Sequence, residues 1–153
     1  MKVLITLSSL AIVLFSSCAF SQQSKTEGLS VKLGDSIAQM QSAYQTPIEA
    51  EPYESGTNKG GFVLRLRTKG VWVFFNKYGK AYTIRLDPPF KGNVAGVKVG
   101  DTVLAMKKQL GEPVKKPTKF GLNDSYLYYP DDTYSASYAT NEAGEVETIF
   151  LTK

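Results

Sequence analysis

The 153-residue sequence contains no histidine and a single cysteine, Cys18. Histidine is the commonest general base and the commonest zinc ligand, so its absence removes the usual residue for both kinds of site. Because Cys18 lies near the amino terminus, the body of the chain has neither a disulfide nor a thiol nucleophile. Catalysis would have to use carboxylates, Tyr, Ser or Lys. The composition therefore favours a protein that is not an enzyme and has no cofactor.

Paired carboxylates are scarce as well. Asp131 and Asp132 form the only adjacent pair, and they follow Pro130 between two strand-like segments. Pro and Asp are favoured turn residues, so this position predicts a turn rather than a metal site or an acid–base site. The sequence thus predicts no catalytic residue and no metal ligand.

Charge of one sign is not concentrated in any part of the chain. The sequence has 18 Lys and Arg against 14 Asp and Glu, which gives a formal net charge of +4. Nucleic-acid-binding proteins normally gather positive charge on one face or in one run of residues. Here the basic residues are dispersed, so we expect no nucleic-acid partner.

The amino-terminal segment has the pattern of an export signal. An uncharged, mostly apolar run from Val3 to Phe15 matches a secretory signal in length and is too short for a membrane span. Ala19-Phe20-Ser21 fits a cleavage site, whereas Leu14 to Cys18 is a loose lipobox in which Cys18 would carry lipid. The pattern predicts a signal peptide over 1–21. The mature protein is expected to be periplasmic or secreted, or alternatively an outer-membrane lipoprotein whose only membrane contact is Cys18.

The body of the chain contains an internal repeat. VKLGDSIAQMQSAYQTPI at 31–48 aligns with VKVGDTVLAMKKQLGEPV at 97–114, and NKYGKAYTIRL at 76–86 aligns with NEAGEVETIFL at 141–151. Apolar residues recur at helical spacing in the first pair of segments. We therefore predict two matching helices, near 35–45 and 101–110. Either Asp35 and Asp101, or the hydroxyls of Ser36 and Thr102 beside them, can accept from a backbone N–H of the first helical turn. The two Asp residues are interpreted as helix caps rather than catalytic residues.

Three strand-like segments follow each predicted helix. They lie at 62–67, 71–75 and 81–86 in the first copy, and at 125–129, 133–140 and 146–151 in the second. Loops of hairpin length separate them. These patterns predict an α+β fold of two tandem units, each a helix plus a three-stranded antiparallel sheet, with the helices packed on one sheet face. The units span 28–92 and 93–153, after a polar leader at 22–27, and their sheets are either continuous or separate.

Comparison of the two copies predicts which sheet face meets the helices. Alternate positions that stay apolar or aromatic in both copies should face the helices: Phe62, Leu64, Val71, Val73, Ile84, Leu86, Leu127, Tyr129, Ala136, Tyr138, Ile149 and Leu151. The positions between them change character and form a face that is open or covered by something else. On that face Trp72 and Phe74 are flanked by Arg65, Arg67 and Arg85, residue types that favour binding hot spots. These five residues are the predicted partner-binding surface, unless a loop or the leader covers them.

The second helical segment resembles a known family. Gly100-Asp101-Thr102 followed by Leu110-Gly111-Glu112-Pro113 is similar to the helical half of SmpA/OmlA-type outer-membrane lipoproteins. The tandem layout also resembles the fold of the β-lactamase inhibitor protein, although that protein's disulfides are absent here. The first copy departs from the motif, with Tyr44-Gln45-Thr46-Pro47 in place of Leu-Gly-x-Pro. The resemblance implies an envelope protein that binds another protein, in envelope assembly or as an inhibitor or immunity partner.

Two classes of function remain. The first is an exported, non-enzymatic protein-binding module of the cell envelope, whose partner is another envelope or secreted protein. The alternative is a small-ligand binder or weak hydrolase with a groove lined by tyrosines of the second unit: Tyr126, Tyr128, Tyr129, Tyr134 and Tyr138. Aromatic residues are enriched in strands simply because they pack well there, so we favour the first class.

Overall fold

The computed structural model describes residues 26–45, 51–52 and 59–153. The strands of this part of the chain are β1 Thr26–Glu27, β2 Glu51–Pro52, β3 Phe62–Leu66, β4 Val71–Phe75, β5 Ala81–Leu86, β6 Asn93–Val94, β7 Thr118–Phe120, β8 Asn123–Asp131, β9 Tyr134–Thr140 and β10 Val146–Thr152. Its α-helices are α1 Ile37–Tyr44 and α2 Val103–Leu110, and a 3₁₀ turn spans Arg67–Lys69. The predicted signal peptide and Cys18 lie outside the described residues. Within the described ranges, no helix is long and apolar enough to cross a membrane.

Eight strands form one antiparallel sheet in the order β2-β3-β4-β5-β10-β9-β8-β7. β5 pairs with β10 in the middle of this order, with Ile84 opposite Leu151 and Arg85 opposite Phe150. β1 and β6 form a separate two-stranded ribbon, in which Thr26 lies opposite Val94. The end of the predicted leader is therefore part of the fold.

The expected α+β fold of two tandem helix-plus-three-strand units is wrong, because the described part of the protein is mostly β, with two short α-helices beside one eight-stranded antiparallel sheet. Of the two sheet arrangements left open, the continuous one is observed. Each α-helix has only eight residues, so the helices contribute little of the structure. Pairing of β5 with β10 satisfies backbone groups that two separate sheets would leave open at their edges. The repeat also failed to predict the short strands β2 and β7 and the β1–β6 ribbon.

The two helices begin with matching local contacts. The carboxylate of Asp35 accepts a hydrogen bond from the backbone N–H three residues upstream at 2.7 Å, and Asp101 does the same at 2.8 Å. The next residue in each copy, Ser36 or Thr102, caps the helix through its side-chain oxygen. The hydroxyl residues are thus the N-caps, and each Asp fixes the turn before its helix.

The apolar core lies against one face of the sheet, called here the core face. Met40 of α1 and Met106 of α2 are fully buried in the same cluster as the inward residues of the central strands. The core-face residues named from the sequence are buried in β4, β5, β9 and β10: Val71, Val73, Ile84, Leu86, Ala136, Tyr138, Ile149 and Leu151. Alternation along these strands was therefore a reliable guide to burial.

The face prediction is wrong in β8. Tyr128 enters the core there, whereas Tyr129 is 61% exposed. Tyr128 lies opposite the buried Ala136, and Leu127 lies opposite Ser137. β8 is therefore displaced by one residue from the position that the sequence alignment gave it, and a shift of one residue exchanges the two faces of a strand.

Candidate functional site

The predicted site residues Arg65, Trp72 and Arg85 come together on the sheet face opposite the core, called here the open face. Arg65 of β3 lies opposite Trp72 of β4, and Trp72 lies opposite Arg85 of β5. Across the central strand pair, Arg85 lies opposite Phe150 of β10. These four residues form a cross-strand row, in which two cations alternate with two aromatic rings.

The side chains of the cross-strand row are in contact. The guanidinium carbon of Arg65 lies 5.2 Å from the ring centroid of Trp72, and that of Arg85 lies 5.3 Å from the same centroid. The Arg85 guanidinium is also 5.7 Å from the ring centroid of Phe150. All three distances are within the range of cation–π attraction. Neighbouring strands place opposed side chains close enough for such contacts, so the register of the sheet builds the row.

Arg85 is held in place by an acidic neighbour. Its Nε donates to the carboxylate of Asp87 at 2.9 Å, and the hydroxyl of Thr148 donates to the same carboxylate at 2.8 Å. The Asp87 side chain is 15% exposed and that of Arg85 is 35% exposed. A charge-assisted hydrogen bond in this setting restricts the guanidinium more than a contact in open solvent would. These contacts hold the Arg85 guanidinium in one orientation.

Phe74 and Arg67 do not belong to the cross-strand row. Phe74 lies in the adjacent row of the sheet, opposite Val63 and Thr83. Val63 is only 3% exposed, although it lies outside the main core cluster, so this end of the open face is covered. Arg67 lies beyond β3 in the 3₁₀ turn and is exposed.

The sequence prediction missed three residues of this site: Phe150, Asp87 and Thr148. Asp87 follows Arg85 by two residues, so the period of a strand could have placed both side chains on one face. The alignment of the two copies matches Arg85 with Phe150, but no local pattern shows that the two strands are neighbours. Thr148 reaches Asp87 only because β10 lies beside β5.

The five tyrosines of the second half do not line one groove. Tyr128 and Tyr138 are core residues whose rings meet edge to face at 5.7 Å. Their hydroxyls donate to the carbonyls of Gly111 and Val94 at 3.1 and 3.0 Å, and burial raises the pKa of Tyr138 far above its ordinary value. Tyr126 and Tyr134 are half-buried against the core, and Tyr129 is exposed.

The adjacent carboxylates Asp131 and Asp132 lie where β8 leads into β9. Asp131 accepts a hydrogen bond from the backbone N–H of Thr133 at 2.7 Å and one from the Thr133 hydroxyl. The turn predicted at Asp131 and Asp132 is confirmed between β8 and β9. Among the described residues, no group of three or more His, Cys, Asp or Glu could hold a metal ion.

Comparison with known proteins gives little further information. No family model matches the chain. No curated protein matches it either. Among solved structures, the chain is similar to a DUF4309 family protein, YjgB, from Bacillus subtilis subsp. subtilis str. 168, with 18% sequence identity and a TM-score of 0.48. The match covers 77% of this chain and 78% of that one, and a likeness this weak identifies neither a family nor a function.

Proposed function

We propose that this protein is an exported, non-enzymatic module of the cell envelope that binds another protein through the open sheet face. The observation that carries the proposal is the cross-strand row, in which Arg65, Trp72, Arg85 and Phe150 alternate cation and ring across four strands. Trp and Arg, together with Tyr, are the residue types most enriched among binding hot spots. The row therefore forms the centre of the proposed interface.

Rigidity of the row supports the same function. Trp72 and Arg85 lie on adjacent strands of a continuous sheet, and Arg85 is fixed by Asp87. Side chains that are already ordered lose less conformational entropy when a partner binds, so more of the contact energy becomes affinity. A sheet face with ordered Arg and Trp side chains suits a protein surface better than a small molecule, which normally needs a concave site.

The envelope location rests on the amino-terminal pattern. An apolar run followed by a small-residue cleavage motif at Ala19-Phe20-Ser21, or by a lipobox ending at Cys18, is typical of exported bacterial proteins. The mass of the protein recovered from its native envelope distinguishes the two forms. A lipid adduct on Cys18 identifies the anchored form, and an amino terminus at Gln22 identifies the soluble one.

A site-specific photocrosslinking experiment tests the proposed interface. A benzophenone amino acid at Phe150 replaces one aromatic ring of the row by another, and the same residue at Leu104 of α2 serves as control because Leu104 is 79% exposed. Irradiation of cells of the native host should give a discrete protein adduct from position 150 and none from position 104. Adding Trp72→Ala should remove the adduct.

Two results would contradict the proposed interface. One is the same set of adducts from positions 150 and 104, which would indicate random collision. The other is an adduct at position 150 that persists undiminished after Trp72→Ala, since the row would then contribute nothing to the contact.

A further inference from the structure

A second surface lies on the core side of the sheet, away from the cross-strand row. It is an open cleft of about 730 Å³ formed by the end of α1, the 3₁₀ turn after β3 and the loop before β6. Val71 and Phe90 of the core cluster are part of its wall. Its size falls within the range of about 300 to 1,000 Å³ that is usual for small-molecule sites. None of the residues of the cross-strand row lines it.

The charged side chains of the cleft are mostly positive. Lys69, Lys91 and Lys98 line it and are all exposed, and Glu27 is the only acidic residue among the described lining residues. The Glu27 carboxylate accepts a hydrogen bond from the Asn93 side chain at 2.6 Å, so it is held against the wall. Three cations against one anion leave the cleft with a net positive charge.

Tyr44 lines the cleft with its ring, whereas its hydroxyl oxygen is buried. Burial raises the pKa of its phenol above the ordinary value, against the opposing effect of a hydrogen bond with the backbone of Ser30. The phenol is therefore neutral at physiological pH. Its ring also provides a surface for a cation, since the ammonium nitrogen of Lys69 lies 5.8 Å from the ring centroid.

The loop that carries two of the polar residues is closely packed. A Cβ atom at Gly92 would lie 1.9 Å from the carbonyl oxygen of Glu27 and 2.5 Å from the Phe90 ring. Only glycine permits this approach of the loop to β1. This packing fixes the position of the backbone at Gly92. The side chains of its neighbours Lys91 and Asn93 therefore extend from a backbone that is held in place.

We propose that this cleft binds a small organic anion, in which a carboxylate or phosphate group is attached to an apolar body about the size of a ring system. Lysine ammonium groups act as compact point charges without the planar preference of arginine, so they accept either anionic group. The apolar part of the ligand contacts the half-buried Tyr44 ring and the small exposed part of the Phe90 ring. The site is independent of the proposed protein-binding function and shares no residue with it.

A ligand titration followed by NMR tests the two parts of this chemistry separately. The probes are 1-naphthyl phosphate, 1-naphthoate, 1-naphthol and inorganic phosphate, added to the purified protein while the backbone amides of Gly92 and Asn93 are observed. The two naphthyl anions should shift these amides saturably, and their affinities should fall as the salt concentration rises because the charges are exposed. The neutral naphthol and inorganic phosphate should each bind at least several-fold more weakly. Comparison of the two naphthyl anions identifies the preferred anionic group.

Matched lysine variants locate the site. Lys91→Gln and Lys98→Gln should each weaken naphthyl phosphate binding about two- to fivefold, the range for exposed ion pairs, and together they should weaken it more. Lys116→Gln is the control, because Lys116 is exposed and lies outside the cleft. All three positions are exposed, so equal urea midpoints should show that the variants fold normally. Equal affinity for naphthol and naphthyl phosphate, or unchanged affinity in the double variant, would overturn the proposal.

Discussion

The two faces of the central strands hold their residues by different means. On the core face Val73, Ile84 and Ile149 are fully buried, and their contacts are apolar and non-directional. On the open face Arg85 keeps 35% of its side-chain surface exposed and contacts Trp72, Phe150 and Asp87 at defined distances. The same strands thus carry a packed layer on one side and an ordered polar and aromatic layer on the other.

The two faces are expected to have different roles, the core face in stability and the open face in the proposed binding. Burial of the core face supplies the hydrophobic free energy that folding requires. The half-buried cation–π contacts of the open face contribute between about 0.5 and 2 kcal/mol each, according to how far they are desolvated. That is less than the truncation of a fully buried core side chain costs. The ordered arrangement of the Arg and Trp side chains is what the proposed binding role requires. Substitutions on the core face should therefore change mainly the free energy of unfolding, and substitutions on the open face mainly the binding affinity.

The largest expected difference is between two tyrosines on neighbouring strands. Tyr138 is fully buried, and Tyr138→Ala should lower the free energy of unfolding by about 3 to 5 kcal/mol, as for other large aromatic side chains. Tyr129 is 61% exposed, and Tyr129→Ala should change it by less than about 0.5 kcal/mol. Urea unfolding midpoints measure both. Similar losses in the two variants would mean that the face assignment of β8 is wrong.

The next largest effect concerns α2, whose residues meet the core along one side only. Met106 is fully buried, so Met106→Ala should cost about 2 to 5 kcal/mol of unfolding free energy. Leu110 is half-buried, and its truncation should cost less than that of Met106. Leu104→Ala is the matched control, because the side chain is 79% exposed. A cost for Leu104→Ala as large as that for Met106→Ala would show that α2 packs through a different face.

Much of the core could be predicted from the sequence because the central strands alternate regularly. Val71, Val73, Ile84 and Leu86 follow a period of two within short hairpins, so their common face needs no knowledge of distant contacts. The prediction failed in β8, where the pairing with β9 becomes irregular between Tyr128 and Asp131. Alignment of two copies cannot detect such a shift when several consecutive residues are aromatic or apolar.

Sheet continuity and the full cross-strand row could not be predicted, because both depend on contacts between distant parts of the chain. Arg65, Trp72 and Arg85 lie on consecutive strands joined by short connections, and the sequence therefore brought them together correctly. Phe150 joins them through the pairing of β5 with β10. Nothing in the local sequence of either strand specifies that pairing, so the sequence left open whether the sheets of the two halves are continuous or separate.

An intermediate effect is expected at Trp72, where the property that changes should be binding. Trp72→Ala should weaken the complex with the photocrosslinked partner by about 2 kcal/mol or more, as truncation of hot-spot aromatics commonly does. The free energy of unfolding should fall less in Trp72→Ala than in Tyr138→Ala, since Trp72 is only half-buried. Binding isotherms and urea midpoints of the two variants provide the comparison. A stability loss at Trp72 as large as at Tyr138 would place Trp72 in a second core.

Fluorescence gives an independent measure at the same residue, because Trp72 is the only tryptophan. Arg65 and Arg85 lie on its ring, so iodide should be attracted and should quench the emission more efficiently than the cation caesium does. Arg65→Gln should reduce the difference between the two quenchers. Equal quenching by iodide and caesium in the unmodified protein would show that the guanidinium groups do not flank the ring in solution.

The smallest effect concerns the single hydroxyl of Tyr138 and its dependence on pH. The hydroxyl donates to the Val94 carbonyl, which also accepts a hydrogen bond from Val97 at 3.0 Å. Tyr138→Phe therefore leaves that carbonyl with one partner and should cost only about 0.5 to 1.5 kcal/mol at pH 7. Burial raises the pKa of Tyr138 above its unfolded value of about 10, so the unfolded chain loses this proton first as the pH rises.

It follows that the folded state binds more protons than the unfolded state above about pH 10, and stability must fall there with increasing pH. The contribution is complete below that pH. Burial raises the pKa of Tyr44, Tyr128 and Tyr134 in the same direction, so the unmodified protein should lose stability steeply in alkali. Tyr138→Phe lacks one of these titrating groups, so its stability should fall less as the pH rises. The urea midpoint of Tyr138→Phe should therefore approach that of the unmodified protein above about pH 10. Tyr129→Phe is the control, because Tyr129 lies on the exposed side of β8. Parallel pH profiles for Tyr138→Phe and the unmodified protein would mean that the Tyr138 phenol has the same pKa in the folded and the unfolded state.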